Sequence, residues 1–186
     1  MQFKTLAFLS ILSILLFTGC DSKEKTEEIK QPTPVQKIER NSEFQLKNLN
    51  ENLINLKLDN EKIIFKDYPN KIVLLNFFTT WCPACKVEIS NLVQIQEAYK
   101  NDIVVVGILL EEFKTNEEIN ELLKSYNVNY TVTNSGEAFE LAKSLGGIKA
   151  IPTTFLIDKH GTFFQKYTGL VPNEMLEIDI KKLLEK

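Results

Sequence analysis

Apolar residues change their spacing several times along the chain, and each change marks a different kind of element. A first apolar stretch runs from Leu6 to Phe17 after Lys4, broken only by Ser10 and Ser13. About a dozen apolar residues are too few to span a bilayer, which needs roughly 20, so the stretch reads as the hydrophobic part of an export signal. Asp21 to Arg40 then mixes charges of both signs with Pro32 and Pro34 and shows no apolar period. Such a segment is expected to be a disordered tether, and about 20 flexible residues reach roughly 25 Å.

Beyond the tether the pattern becomes that of a packed domain. FQLKNLN and LINLKLD alternate apolar and polar residues around Asn50, Glu51 and Asn52, which predicts a hairpin. Lys71 to Phe78 (KIVLLNFF) is nearly continuous apolar, as a strand covered on both faces should be. Pro83 to Tyr99 returns to helical spacing, with Val87, Leu92, Ile95 and Ala98 or Tyr99 expected inward. Ile103 to Leu110 reads as a second buried strand, and Asn116 to Tyr126 as a helix burying Ile119, Leu122 and Leu123. A short strand Tyr130 to Thr133 and a helix Glu137 to Leu145 follow. Strands Thr154 to Ile157 and Phe163 to Thr168 flank a turn at Asp158, Lys159, His160 and Gly161, and an amphipathic helix Asn173 to Leu184 closes the chain. Alternating strands and helices imply an α/β fold with parallel pairing through right-handed crossovers.

Composition narrows the function. The 186 residues carry 22 Lys+Arg against 25 Asp+Glu, a net charge of −3, which suits one globular domain plus an appendage and leaves no basic footprint for nucleic acid. Three cysteines are too few for a disulfide-stapled scaffold, and one histidine cannot supply a His-rich metal site. No metal and no cofactor are therefore expected. Cys82 and Cys85 lie in Trp81-Cys82-Pro83-Ala84-Cys85, between the buried strand and the first helix. A thiolate at a helix N-terminus faces the positive end of the macrodipole and unpaired N–H groups, so its pKa falls below the roughly 8.5 of a free thiol. Cys82 is then expected to be the exposed attacking thiol and Cys85, one turn inside the helix, the buried resolving thiol. Two other readings of the spacing stay open. A structural disulfide closing so small a loop is a poor staple. A zinc half-site needs a second pair of ligands, and the only histidine is His160, in the predicted turn.

Two resemblances sharpen this reading. Thr18-Gly19-Cys20 resembles the lipobox of bacterial lipoproteins, although Phe17 stands where Leu is usual. That resemblance implies that Cys20 is lipidated and becomes the mature N-terminus. Asp21 resembles an inner-membrane retention signal, and an uncleaved anchor is the alternative. LLNFFTTWCPACKVEI together with IPTTFLIDKHG resembles the TlpA/ResA-like family of membrane-anchored thiol-disulfide oxidoreductases, over Glu43 to Lys186. The implied fold is thioredoxin-like α/β, a central mixed sheet flanked by helices with an N-terminal β-hairpin extension. The implied division is 1–19 signal peptide, 20–40 lipid attachment and tether, and 41–186 thioredoxin-like domain.

The same resemblance implies residue roles. Pro152 would be cis and face the cysteines, giving a fixed bend without an N–H and leaving Ile151 to pair with an extended client. Trp81 would cover the site and help shape the client surface. Asn76 stands where ordinary thioredoxins carry an Asp, and it cannot ionise. Glu88, three residues after Cys85, matches a glutamate of the TlpA/ResA-like proteins. One helical turn brings it to the dithiol, where a partly buried carboxylate would have a raised pKa and exchange protons with a thiol. Implied partners are client proteins with disulfides or thiols, a membrane thiol reductase as electron donor, and the membrane through an N-terminal lipid anchor. The implied location is the periplasmic side of the bacterial inner membrane, and cytochrome c maturation is the implied setting. Three rivals remain. The same dithiol run in reverse oxidises clients. Peroxide reduction fits Thr79, three before Cys82, but that motif wants a proline where Leu75 stands and an arginine, and Arg40 is in the tether. A copper carrier would recruit His160, 75 residues beyond Cys85.

Overall fold

The computed structural model describes residues 42–59 and 62–185. The expected signal peptide, Cys20 and the tether lie outside them. Three strands open the domain: β1 (Ser42–Lys47), β2 (Leu53–Asp59) and β3 (Lys62–Phe65), antiparallel in the order β1-β2-β3. The predicted hairpin is β1 and β2, paired from Ser42↔Leu58 to Lys47↔Leu53. β3 was not predicted, because four residues are too short a window for alternation to register.

The rest follows the predicted order: β4 (Ile72–Phe78), α1 (Pro83–Ala98), β5 (Ile103–Leu109), α2 (Asn116–Ser125), β6 (Thr131–Thr133), α3 (Glu137–Ser144), β7 (Thr153–Ile157), β8 (Phe163–Thr168) and α4 (Asn173–Leu184). Their strands form one sheet in the order β6-β5-β4-β7-β8. β4, β5 and β6 are parallel, while β7 and β8 run antiparallel to their neighbours, so the sheet is mixed as expected.

Every residue of β4 is buried because both sheet faces are covered. Its alternation sorts the core. Val73, Leu75 and Phe77 point toward α3 and the three-stranded sheet, packing with Phe44, Leu46, Ile54, Leu56, Leu58, Ile63 and Phe65. Ile72 and Leu74 point the other way, onto Leu92 and Ile95 of α1 and Leu176, Ile180 and Leu183 of α4. Asn76 shares that second face, which decides where its amide goes. The α1 stripe is Cys85, Glu88, Ile89, Leu92 and Ile95. Val87, expected inward, lies off this stripe and is 52% exposed. In α2 the buried residues are Ile119 and Leu123, with Leu122 half-buried at its margin.

Candidate active site

β4 delivers the chain to α1 through Thr79, Thr80 and Trp81. Cys82 is the N-cap residue of α1 and is extended, with φ −80° and ψ 116°. Pro83 occupies the first helical turn, where a missing N–H costs nothing and a fixed φ suits the helix. The Cys85 N–H donates to Cys82 Sγ at 3.1 Å, and the Lys86 N–H to the Cys82 carbonyl at 3.2 Å. Cys82 and Cys85 are joined as a disulfide, with Cα atoms 5.2 Å apart. An N–H aimed at Sγ and the positive end of the helix both favour a thiolate at Cys82 once the bond is reduced.

Cys82 is 5% exposed and Cys85 1%. Their order is the expected one, but Cys82 is not the exposed thiol that the helix terminus alone suggests. A distant loop closes over it. The Ile151–Pro152 peptide bond is cis, and the Ile151 carbonyl oxygen lies 4.0 Å from Cys82 Sγ. The loop is held on both sides: Thr153 Oγ1 donates to the Ala150 carbonyl at 2.7 Å, and the Gly169 N–H to the Pro152 carbonyl at 2.8 Å. Trp81, expected as a cover, is 66% exposed and stands out beside the site instead.

Glu88 is 1% exposed, on the buried stripe of α1 one turn beyond Cys85. β4 and β7 are registered Asn76↔Thr154, which sets these two polar side chains next to each other below α1. Asn76 Nδ2 donates to Glu88 Oε2 at 2.8 Å and to Thr154 Oγ1 at 2.8 Å, and Thr154 Oγ1 donates to Glu88 Oε1 at 3.4 Å. Burial pushes the Glu88 carboxyl up from 4.5 to about 7; hydrogen bonds from Asn76, Thr154 and the Val171 backbone oppose it without prevailing. The result is a carboxyl group able to take or release a proton near neutrality, a turn away from the resolving thiol.

Sequence reasoning missed Glu111. Both the N–H and the hydroxyl of Thr80 donate to its Oε2, at 2.9 and 2.7 Å, so it ties down the loop that carries Trp81 and Cys82. One signal was available: β5 runs parallel beside β4, and residues just past the carboxyl ends of adjacent parallel strands meet there. His160 is not brought to the cysteines. It sits past the far end of β7 from Pro152, five strand residues and about 16 Å away, so the copper-carrier set of Cys82, Cys85 and His160 is not assembled.

Comparison with known proteins agrees with this geometry. The AhpC/TSA family matches residues 39–165, more than half of the chain. The thiol-disulfide oxidoreductase ResA of Bacillus cereus is 31% identical over 168 residues, 90% of this chain and 86% of that protein. The thioredoxin-like protein YneN of Bacillus subtilis is 24% identical and covers 94% of the chain and 95% of its own length. Among solved structures, a DsbF homologue from Corynebacterium diphtheriae superposes with a TM-score of 0.64 at 24% identity, over 77% of this chain and 86% of that one. StoA from Bacillus subtilis gives 0.58 at 20% identity, over 75% and 96%. The fold is thioredoxin-like.

Proposed function

The chain belongs to the AhpC/TSA family as a ResA-like thiol-disulfide oxidoreductase, and from that premise we propose that it reduces disulfides of client proteins outside the cytoplasmic membrane, held there by a lipid on Cys20. The observation that carries the reading is the meeting of three elements around one dithiol: Cys82 Sγ accepts the Cys85 N–H and lies 4.0 Å from the carbonyl of cis-bonded Ile151, while the buried Glu88 lies one turn beyond Cys85 on α1.

The reduced protein starts with Cys82 as thiolate. It attacks one client sulfur, forms a mixed disulfide and expels the other client sulfur as thiolate. The client strand lies along Ile151 and Pro152, with Trp81 at its margin. Cys85 gives its proton to Glu88, and the Cys85 thiolate attacks Cys82 Sγ. The second client thiolate leaves, and Cys82 and Cys85 end as a disulfide. Two electrons have passed to the client, and a membrane thiol reductase returns them. The leader and lipobox-like residues support the location, and the resemblance to the TlpA/ResA-like family implies cytochrome c maturation as the setting, where haem-binding cysteines must be kept reduced. Peroxide reduction is disfavoured, since Leu75 lies inside β4 and the described residues include no arginine.

The test is a trap. Cys85→Ala should hold clients on Cys82 as stable mixed disulfides, identified by mass spectrometry. The intact domain, equilibrated with glutathione, should show a potential well below that of strong periplasmic oxidants, which lie near −120 mV. No captured client, or a potential at the oxidant end, refutes the reductase reading.

A further inference from the structure

One buried polar atom that feels the charge of Glu88 has no hydrogen-bond partner. The Tyr130 hydroxyl is shielded from solvent and makes no hydrogen bond. Its position follows from the sheet. Thr154, Asn76, Gly107 and Val132 form one row across β7, β4, β5 and β6, registered Asn76↔Thr154, Asn76↔Gly107 and Gly107↔Val132. The first two bind Glu88. The third has no side chain, and the space is filled from the side: a Cβ on Gly107 would come 3.4 Å from Tyr130 Cε2 and 3.2 Å from Phe78 Cε1. The absence of a side chain at Gly107 thus admits the phenol edge to the row that holds the carboxyl group. A phenylalanine would fill the same space without a buried hydroxyl to satisfy.

We propose that Tyr130 is a positioning residue for Glu88, its hydroxyl donating to the carboxylate, directly or through one water, whenever Glu88 is ionised. While Glu88 is protonated, Asn76 and Thr154 suffice to hold it and the phenol has no partner. When Glu88 gives up its proton, the new charge gains a third side-chain donor. The phenol itself stays protonated, because burial and the nearby Glu88 charge both push its ionisation upward, so the donor is available throughout the working range. The groups facing Glu88 are Asn76 from β4, Thr154 from β7, the Val171 backbone before α4, Cys85 on its own helix, and Tyr130. Among these, Tyr130 alone supplies a titratable donor from outside α1. The inference rests on Glu88 serving as the proton acceptor for Cys85.

The experiment is a carbon-13 NMR titration of the Glu88 carboxyl group in the full domain and in Tyr130→Phe, alongside the pH profile for resolution of a Cys82 mixed disulfide. The midpoint should rise by about half to one unit in Tyr130→Phe, a roughly two- to fivefold loss of carboxylate at neutral pH, with resolution slowed to match. The first attack by Cys82 should be unchanged. An unmoved midpoint in a folded Tyr130→Phe overturns the proposal. Should that variant fail to fold, the tyrosine C–O vibration of the unaltered protein is followed by infrared difference spectroscopy from pH 5 to 9. It should shift with the Glu88 midpoint and lose that shift in Glu88→Gln, and a pH-independent band overturns the proposal. If Glu88→Gln leaves the resolution profile unchanged, the role of Glu88 falls, and Tyr130 with it. A profile changed by Glu88→Gln but not by Tyr130→Phe removes Tyr130 alone.

Discussion

At the scale of single residues, the buried carboxyl group of Glu88 ties the proposed chemistry to stability. Its folded-state pKa of about 7 lies above the 4.5 of an unperturbed glutamate. Between those values the folded protein keeps a proton that the unfolded chain has released, so folding is favoured least at high pH. The contribution is intact below about 4.5, is lost progressively as pH rises to about 7, and leaves a fixed penalty of about 3 kcal/mol above it. A glutamine reproduces the neutral form: its oxygen can accept from Asn76 and its amide can donate to Thr154. In the disulfide form, Glu88→Gln is therefore expected to exceed the parent by about 2–3 kcal/mol at pH 8 and to match it at pH 4.5, by urea unfolding at both pH values. The same gap at both would mean that Glu88 is not held with a raised pKa. Much of this cluster was hidden in the sequence. Glu88 was visible by its spacing from Cys85, but the partner role of Asn76 was not. In a strand as uniformly apolar as Ile72–Phe78, nothing in the pattern says which face a given residue takes. Nor could local spacing show that Ile151, 69 residues on, closes over Cys82.

At the scale of elements, long periodic segments were legible and short junctions were not. The strands and helices from Ile72 onward match their predicted positions within a residue or two, because 16 residues of α1 or seven of β5 carry enough repeats to fix a period. β3 carried too few, and its attachment is a backbone matter that composition cannot display. The Ile63 N–H donates to the Gly161 carbonyl at 2.8 Å, so the β7–β8 turn binds the three-stranded sheet. Gly161, read from sequence as an ordinary turn residue, has φ +81°, and a Cβ there would lie 2.7 Å from the Ile63 carbonyl oxygen. Gly161→Ala must bear left-handed strain and also push β3 away. A loss of about 2–3 kcal/mol is expected in chemical denaturation, with hydrogen exchange accelerated at Ile63 more than within β4. Unchanged stability would show that the turn and β3 are not docked in this way.

At the scale of the molecule, the N-terminal sheet is a layer of the domain. Its apolar face and α3 together cover the Val73, Leu75 and Phe77 side of β4 along with Val106, Ile108, Phe155 and Ile157. Backbone bridges at Asn48↔Thr133 and Lys62↔Thr162 stitch it to the central sheet at both edges, where open strands would otherwise invite foreign pairing. This layer also serves the site indirectly. With one side of β4 sealed by apolar contacts, the alternation of the strand holds Asn76 on the opposite side, under α1. A chain beginning at residue 67 would keep both cysteines, Glu88 and Pro152, yet would expose the outer face of its sheet. Re-exposing even half of those seven large side chains costs about 5–10 kcal/mol, and domains of this size are stable by only about 5–15 kcal/mol. The shortened chain is therefore expected to show no cooperative thermal transition and to bind a hydrophobic dye, despite retaining every residue of the candidate site. A cooperative melt from that chain would make the three strands an appendage, and the placement of Asn76 beneath Glu88 would then need a support other than the layer behind it.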